Sequence, residues 1–283
     1  MTDAKADHDD LHDRGLQYDL MVMSRRRGVV VGLGALAAGA LGYYALRGGP
    51  FSGAQATVIG TGPDGSTCVA DPTETSGPFP GDGTNAKDGQ TVNVLTESGV
   101  VRQDIRTSFA GMTPVADGVP MDIRIRLVDV NAACAPLAGR AIYVWHCDAA
   151  GRYSIYATDD SNYLRGVGVT DANGEVSFTS IVPACYDGRW PHVHFEVFAN
   201  IDAAVSGDKS LLISQFALPE DTVAAVYAAD PRYAASVANL ATVSIARDNV
   251  FGDNTAEQIS AQTMALTGDL TTGFVASATV GVT

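Results

Sequence analysis

Positive charge is scarce in this chain. Its 283 residues carry 18 Lys and Arg against 32 Asp and Glu, a formal charge of −14. A nucleic-acid partner needs a basic surface to displace counterions from its phosphates, and anionic lipid headgroups need the same, so the acidic balance excludes both for the body of the protein. Cysteine is sparse as well. The four present, Cys68, Cys134, Cys147 and Cys185, contain no CxxC pair from which a zinc finger could start. No internal repeat is found, and long apolar runs are missing with one exception near the N-terminus. What is there, 46% hydrophobic residues with 30 Gly and 12 Pro, is ordinary for a globular fold and too apolar for disorder. Small neutral or aromatic ligands stay open.

The exception is set off by charge. Residues 1–23 hold six Asp, one Lys and one Arg, while residues 24–56 hold four Arg and no acid, so these blocks cancel and the net charge lies on 57–283. Ser24-Arg25-Arg26-Arg27 precedes a Gly- and Ala-rich apolar run of 19 residues, Gly28 to Leu46. Paired arginines before a weakly apolar segment resemble a twin-arginine export signal, which implies the export machinery as a partner and a cell-envelope or extracellular destination. Such export commonly carries folded proteins already loaded with a cofactor. The competing reading is an uncleaved N-terminal membrane anchor, because about 20 apolar residues can cross a bilayer. Either way residues 1–56 form a tail and signal, and 57–283 form one exported domain.

Within 57–283, beyond a Gly-, Pro- and Asp-rich lead-in over 60–90, the apolar pattern has period two. Met121 to Val130 places Ile123, Ile125 and Leu127 on one face and Arg124 and Arg126 on the other, the pattern of a half-buried strand. Ala141–Trp145, Glu175–Thr179, Pro191–Phe198, Leu211–Phe216 and Thr272–Val282 read as further strands. Only Glu220–Ala228, with Pro219 before it and acids in its first turn, reads as a helix. Short strands separated by turn clusters predict an all-β fold, a β-sandwich with short helical and loop additions.

Histidine is nearly absent from this body. His8 and His12 precede the arginines, leaving His146, His192 and His194. The i, i+2 spacing of the last two on a strand directs both imidazoles to one face while Val193 points the other way, half of a metal site. A chance polar pair is the competing explanation for the spacing alone.

Around that pair stand WHCDAAGRY, from Trp145 to Tyr153, and LRGVGVTDANGEVSFTSIVPACYDGRWPHVHF, from Leu164 to Phe195. Together with Thr75-Ser76-Gly77-Pro78-Phe79 they resemble the intradiol ring-cleavage dioxygenases, the protocatechuate and catechol dioxygenase superfamily, in an exported branch. The resemblance runs through strong motifs from about Cys68 to Phe198 and weakly onward to the C-terminus. It implies a non-haem Fe(III) held by Tyr153, Tyr186, His192 and His194. Hard phenolate oxygens suit a trivalent ion and imidazole suits iron, so the donor types agree with that set. It also implies that Arg189 steadies charge on the substrate, that Gln215 supports Arg189, and that His146 stays outside the metal set. Tyr156 and Tyr163 are left to line the pocket or to pack.

The implied reaction joins a catechol to both atoms of O2, with displacement of Tyr186 as the catechol binds, and yields a cis,cis-muconate-type diacid. The segment between Tyr186 and His192 is short, which predicts an open pocket for larger substituted or lignin-derived catechols. A binding module for aromatic polymers on the same fold is the alternative. A secreted metallohydrolase is a third class, disfavoured because the set lacks the carboxylates usual for water activation at zinc. A homo-oligomer is compatible with the sequence. For the cysteines, an oxidising destination favours disulfides Cys147–Cys185 and Cys68–Cys134, the first pair because both cysteines adjoin the site residues; free buried thiols are the other reading.

Overall fold

The computed structural model describes residues 56–283. The arginine block and apolar run lie outside the described residues.

The described strands are β1 (Ile59–Thr61), β2 (Thr67–Val69), β3 (Asp82–Lys87), β4 (Gln90–Asn93), β5 (Pro120–Asp129), β6 (Ala135–Pro136) and β7 (Ala141–Trp145). They continue with β8 (Arg165–Val169), β9 (Glu175–Ile181), β10 (His192–Phe198), β11 (Leu212–Ala217), β12 (Ala265–Asp269) and β13 (Gly273–Val282). Four short α-helices, α1 (Ile201–Ser206), α2 (Glu220–Ala229), α3 (Ala234–Leu240) and α4 (Ala256–Gln262), are inserted among the last strands.

Two sheets form the sandwich. One is antiparallel in the order β11, β10, β7, β8; in the other β12, β13 and β5 run side by side, with β9 and the short β6 along the far edge of β5. β13 pairs with β5 in parallel from Phe274 opposite Met121 to Val282 opposite Asp129.

The period-two reading of β5 holds: Met121, Ile123, Ile125 and Leu127 are buried while Arg124 and Arg126 are exposed. These apolar side chains share a core with Phe178 of β9, Ile142 and Val144 of β7, and Val193, Phe195 and Val197 of β10. Each fully buried Ile or Phe contributes about 1.5–3 kcal/mol. On β8 the sheets close tightly because Gly168 has no side chain, and a Cβ there would fall 2.5 Å from Val176 Cγ2.

The opposite face of β7 and β10 carries Tyr143, Trp145, His192 and His194. It too is covered by protein, so every residue of both strands is buried and the alternation disappears from the burial pattern.

The predicted helix is present as α2. The other three were not foreseen: α1 rests on the Asn200 side chain accepting from Ala203 N and on Gly207 in the left-handed region at its end, and α4 on a Thr255/Gln258 capping box. Side-chain caps start α1 and α4 while α3 has none, and at six or seven residues all three are too short to display a period.

Cys68 and Cys134 form the expected disulfide, joining β2 to the turn after β5. The expected Cys147–Cys185 bond is absent. Both are buried free thiols, and their sulfurs are turned onto backbone carbonyls, Cys147 Sγ toward Ala184 O at 3.6 Å and Cys185 Sγ toward Arg189 O at 3.4 Å.

Candidate metal centre

β10 begins at His192, and register places His194 between Trp145 on β7 and Gln215 on β11. The Trp145 indole lies flat on the His194 ring, with centroids 4.8 Å apart and planes 5° apart, which fixes that imidazole. His192 Nδ1–H donates to the Trp190 carbonyl at 2.5 Å. That bond leaves Nε2 of His192 as a bare lone pair facing the site.

Two loops bring the phenols. Tyr153 comes from the segment between β7 and β8 and is buried, whereas Tyr186, just before β10, is half-buried. Tyr153 Oη stands 3.2 Å from His192 Nε2 and 3.0 Å from His194 Nε2, and Tyr186 Oη stands 3.2 Å from His192 Nε2. The two imidazole Nε2 atoms are themselves 3.1 Å apart. Donor atoms about 2.1 Å from a shared ion, roughly perpendicular to one another about it, stand about 3 Å apart. A cation therefore satisfies this arrangement better than hydrogen bonds among the four atoms do.

Electrostatics agree. Burial first, then the Arg189 cation, pushes His192 well below the usual histidine range; burial and the neighbouring His192 do the same to His194. Both imidazoles are thus neutral and able to ligate. Burial and the adjacent Tyr186 raise the Tyr153 phenol well above its ordinary value, so only a strong local cation would make it a phenolate. Among the described residues no three His, Cys, Asp or Glu side chains cluster as a metal site.

Beside the four donors lies Arg189, wholly buried. Its Nε donates to Asp248 Oδ2 at 3.0 Å and its Nη2 to Gln215 Oε1 at 2.7 Å. Gln215 in turn donates from Nε2 to the Thr75 carbonyl at 2.9 Å, tying the Thr75–Phe79 segment to the site. Gln215 therefore bridges Arg189 and the Thr75 segment.

Asp248 was not singled out from sequence. Burial pushes its carboxyl up, but Arg189 and the N–H groups of Trp190 and Val250 outweigh this and hold it below the usual range. No local signature betrays Asp248, because the partner it completes is 59 residues away.

His146 stays out of the set, with Nδ1 against the Cys147 carbonyl at 2.8 Å and Nε2 against Ser180 Oγ at 2.7 Å, and burial pushes it down to about 4. Tyr163 packs, donating to Asp148 Oδ2 at 3.1 Å. Phe79 lies 5.2 Å from the Tyr153 ring and 5.0 Å from the Tyr156 ring, forming an aromatic wall.

The family model described as Dioxygenase matches residues 95–248, more than half of the chain and a span that includes Tyr153, Tyr186, Arg189, His192, His194 and Gln215. The chain belongs to the intradiol ring-cleavage dioxygenase family. An intradiol ring-cleavage dioxygenase from Tetranychus urticae superposes with a TM-score of 0.55 at 21% identity, covering 76% of this chain and 94% of that one. At that identity the likeness speaks for the shared β-sandwich. Catechol 1,2-dioxygenase of Candida albicans is 34% identical over 80 residues, 27% of this chain and 26% of the relative. The match thus spans about a quarter of that relative's length.

Proposed function

We propose that this dioxygenase is a non-haem Fe(III) enzyme that cleaves the ring of a catechol-type aromatic with O2 to a cis,cis-muconate-type diacid. The carrying observation is the convergence of two phenol oxygens and two imidazole Nε2 atoms at 3.0–3.2 Å beside a buried arginine.

Tyr153, Tyr186, His192 and His194 would hold the iron. Fe(III) bound there would supply Lewis acidity toward a catechol and draw electron density from its ring, opening a closed-shell substrate to triplet dioxygen. Tyr153, His192 and His194 are buried and packed, so they stay in place. Of the four, Tyr186 has the most exposed surface, and its phenolate oxygen would accept a catechol proton.

Arg189, clamped by Asp248 and Gln215, cannot swing away. Its guanidinium opposes the negative charge that builds on the substrate as the ring opens, and stabilisation confined to that stage raises turnover rather than binding. Phe79 beside Tyr153 offers a flat apolar wall for an aromatic ring.

Export is proposed from the arginine block, and the Cys68–Cys134 disulfide supports an oxidising destination. An oxygen electrode with a panel of substituted catechols tests the activity. Stoichiometric O2 uptake with a diacid product is expected. Iron-loaded protein that binds catechols without consuming O2 would instead be the aromatic-binding module.

A further inference from the structure

Arg165 opens β8 and is almost wholly buried, yet every hydrogen bond it makes goes to an uncharged oxygen. Nη1 donates to the Pro80 carbonyl at 2.8 Å and to the Tyr143 hydroxyl at 3.2 Å. Nε donates to Ser154 Oγ at 3.1 Å and Nη2 to the Ser154 carbonyl at 3.2 Å. Burying a guanidinium without an anion is unfavourable even when its hydrogen bonds are satisfied, so stability alone is a poor reason for it.

Apart from the Tyr143 hydroxyl on β7, the oxygens it gathers belong to two segments that meet at the candidate metal centre. Pro80 follows Phe79, and Ser154 follows Tyr153. Tyr143 reinforces the first segment by donating to the same Pro80 carbonyl at 2.8 Å. The residue after Ser154, Ile155, has φ of 73°, a left-handed conformation that a β-branched side chain rarely adopts. Such a conformation persists only when its surroundings hold it. The carbonyl bonded by Arg165 Nη2 is the oxygen of the Ser154–Ile155 peptide itself.

We propose that Arg165 is a positioning residue for the metal centre: its planar fork clamps the Ser154–Ile155 peptide to the Pro80 segment and so sets the Tyr153 phenol oxygen against the two imidazoles. This rests on the reading of Tyr153 as an Fe(III) ligand. A lysine cannot replace it, since a single ammonium on a flexible stem does not span donors facing two directions.

The test uses the iron-loaded full chain and Arg165→Gln, Arg165→Lys and Ser154→Ala, with circular dichroism for folding. Iron retention under EDTA and the visible tyrosinate-to-Fe(III) band are the readouts. Folded Arg165→Gln and Arg165→Lys are expected to lose most of their iron to a chelator concentration that the unaltered protein withstands, with a shifted and weakened band. Ser154→Ala, which deletes the hydroxyl that accepts from Nε and donates to the Tyr163 carbonyl at 2.6 Å, should move both readouts the same way by less. It decides the matter should the arginine variants not fold. A coloured unaltered protein whose folded variants keep its band and iron retention, losing only thermal stability, would overturn the positioning role and leave the proposed function standing. A colourless unaltered protein would overturn both.

Discussion

Replacing Arg189 separates catalysis from folding, because the same guanidinium serves both. It forms an ion pair with Asp248 in which both side chains are wholly buried. Breaking such a pair by removing one partner typically costs about 3–5 kcal/mol. Here Asp248 keeps N–H donors from Trp190 at 2.8 Å and Val250 at 2.8 Å, so Arg189→Met should fall at the low end of that range. Losing one well-placed electrostatic stabiliser lowers turnover about 10²–10³-fold, or about 2.7–4 kcal/mol in the barrier. The two effects are separable by adding Asp248→Asn, which removes the orphaned charge. The double variant should regain most of the lost thermal stability in a calorimetric scan. Oxygen uptake should remain about 10²–10³-fold down in both variants, with catechol binding, followed by the shift of the visible band, changed only a few-fold. Near-normal uptake by either variant, or recovery of activity in step with stability, would refute the assignment of Arg189 to charge stabilisation.

Burial raises Asp71 to about 7, and its Oδ2 accepts from Gly281 N at 2.9 Å. An acid raised above its unfolded value of about 3.9 stabilises the fold only while protonated, a contribution lost as pH climbs from about 4 through about 7. Asp71→Asn should therefore raise Tm at pH 8 and leave it nearly unchanged at pH 4; an equal shift at both would contradict this. Replacing Cys68 and Cys134 by Ala should cost about 2–5 kcal/mol, and a reductant should lower the Tm of the unaltered protein toward that of the variant; insensitivity to reductant would count against the bond. Arg25→Lys with Arg26→Lys should leave unprocessed protein in the cytoplasm on cell fractionation, and unchanged export would rule out the twin-arginine route.

The parts of this fold that could be read from sequence are those with a local period. β5 alternates visibly because one of its faces meets solvent, and His192 and His194 share a face for the same geometric reason. Tyr153 and Tyr186 lie in loops, where no period exists, and only the motifs around them suggested that they join the histidines. β8 escaped notice because its glycines, Gly166 against Ile105 and Gly168 against Val176, are there for close packing and erase the apolar signal. The pairing of Cys147 with Cys185 failed for a related reason. Nearness to a common site does not tell which way a sulfur points, and both point at carbonyls. Asp248 shows the limit most clearly: its role is defined by Arg189 and Gln215, and neither is near it in the chain.

Whether four side chains hold one Fe(III) is tested by the visible spectrum together with metal analysis of the purified protein. A red-brown protein with one iron per chain is expected, with joint loss of iron and visible absorption in His192→Ala and in His194→Ala. A colourless protein carrying stoichiometric zinc, or either variant keeping both iron and colour, would contradict it.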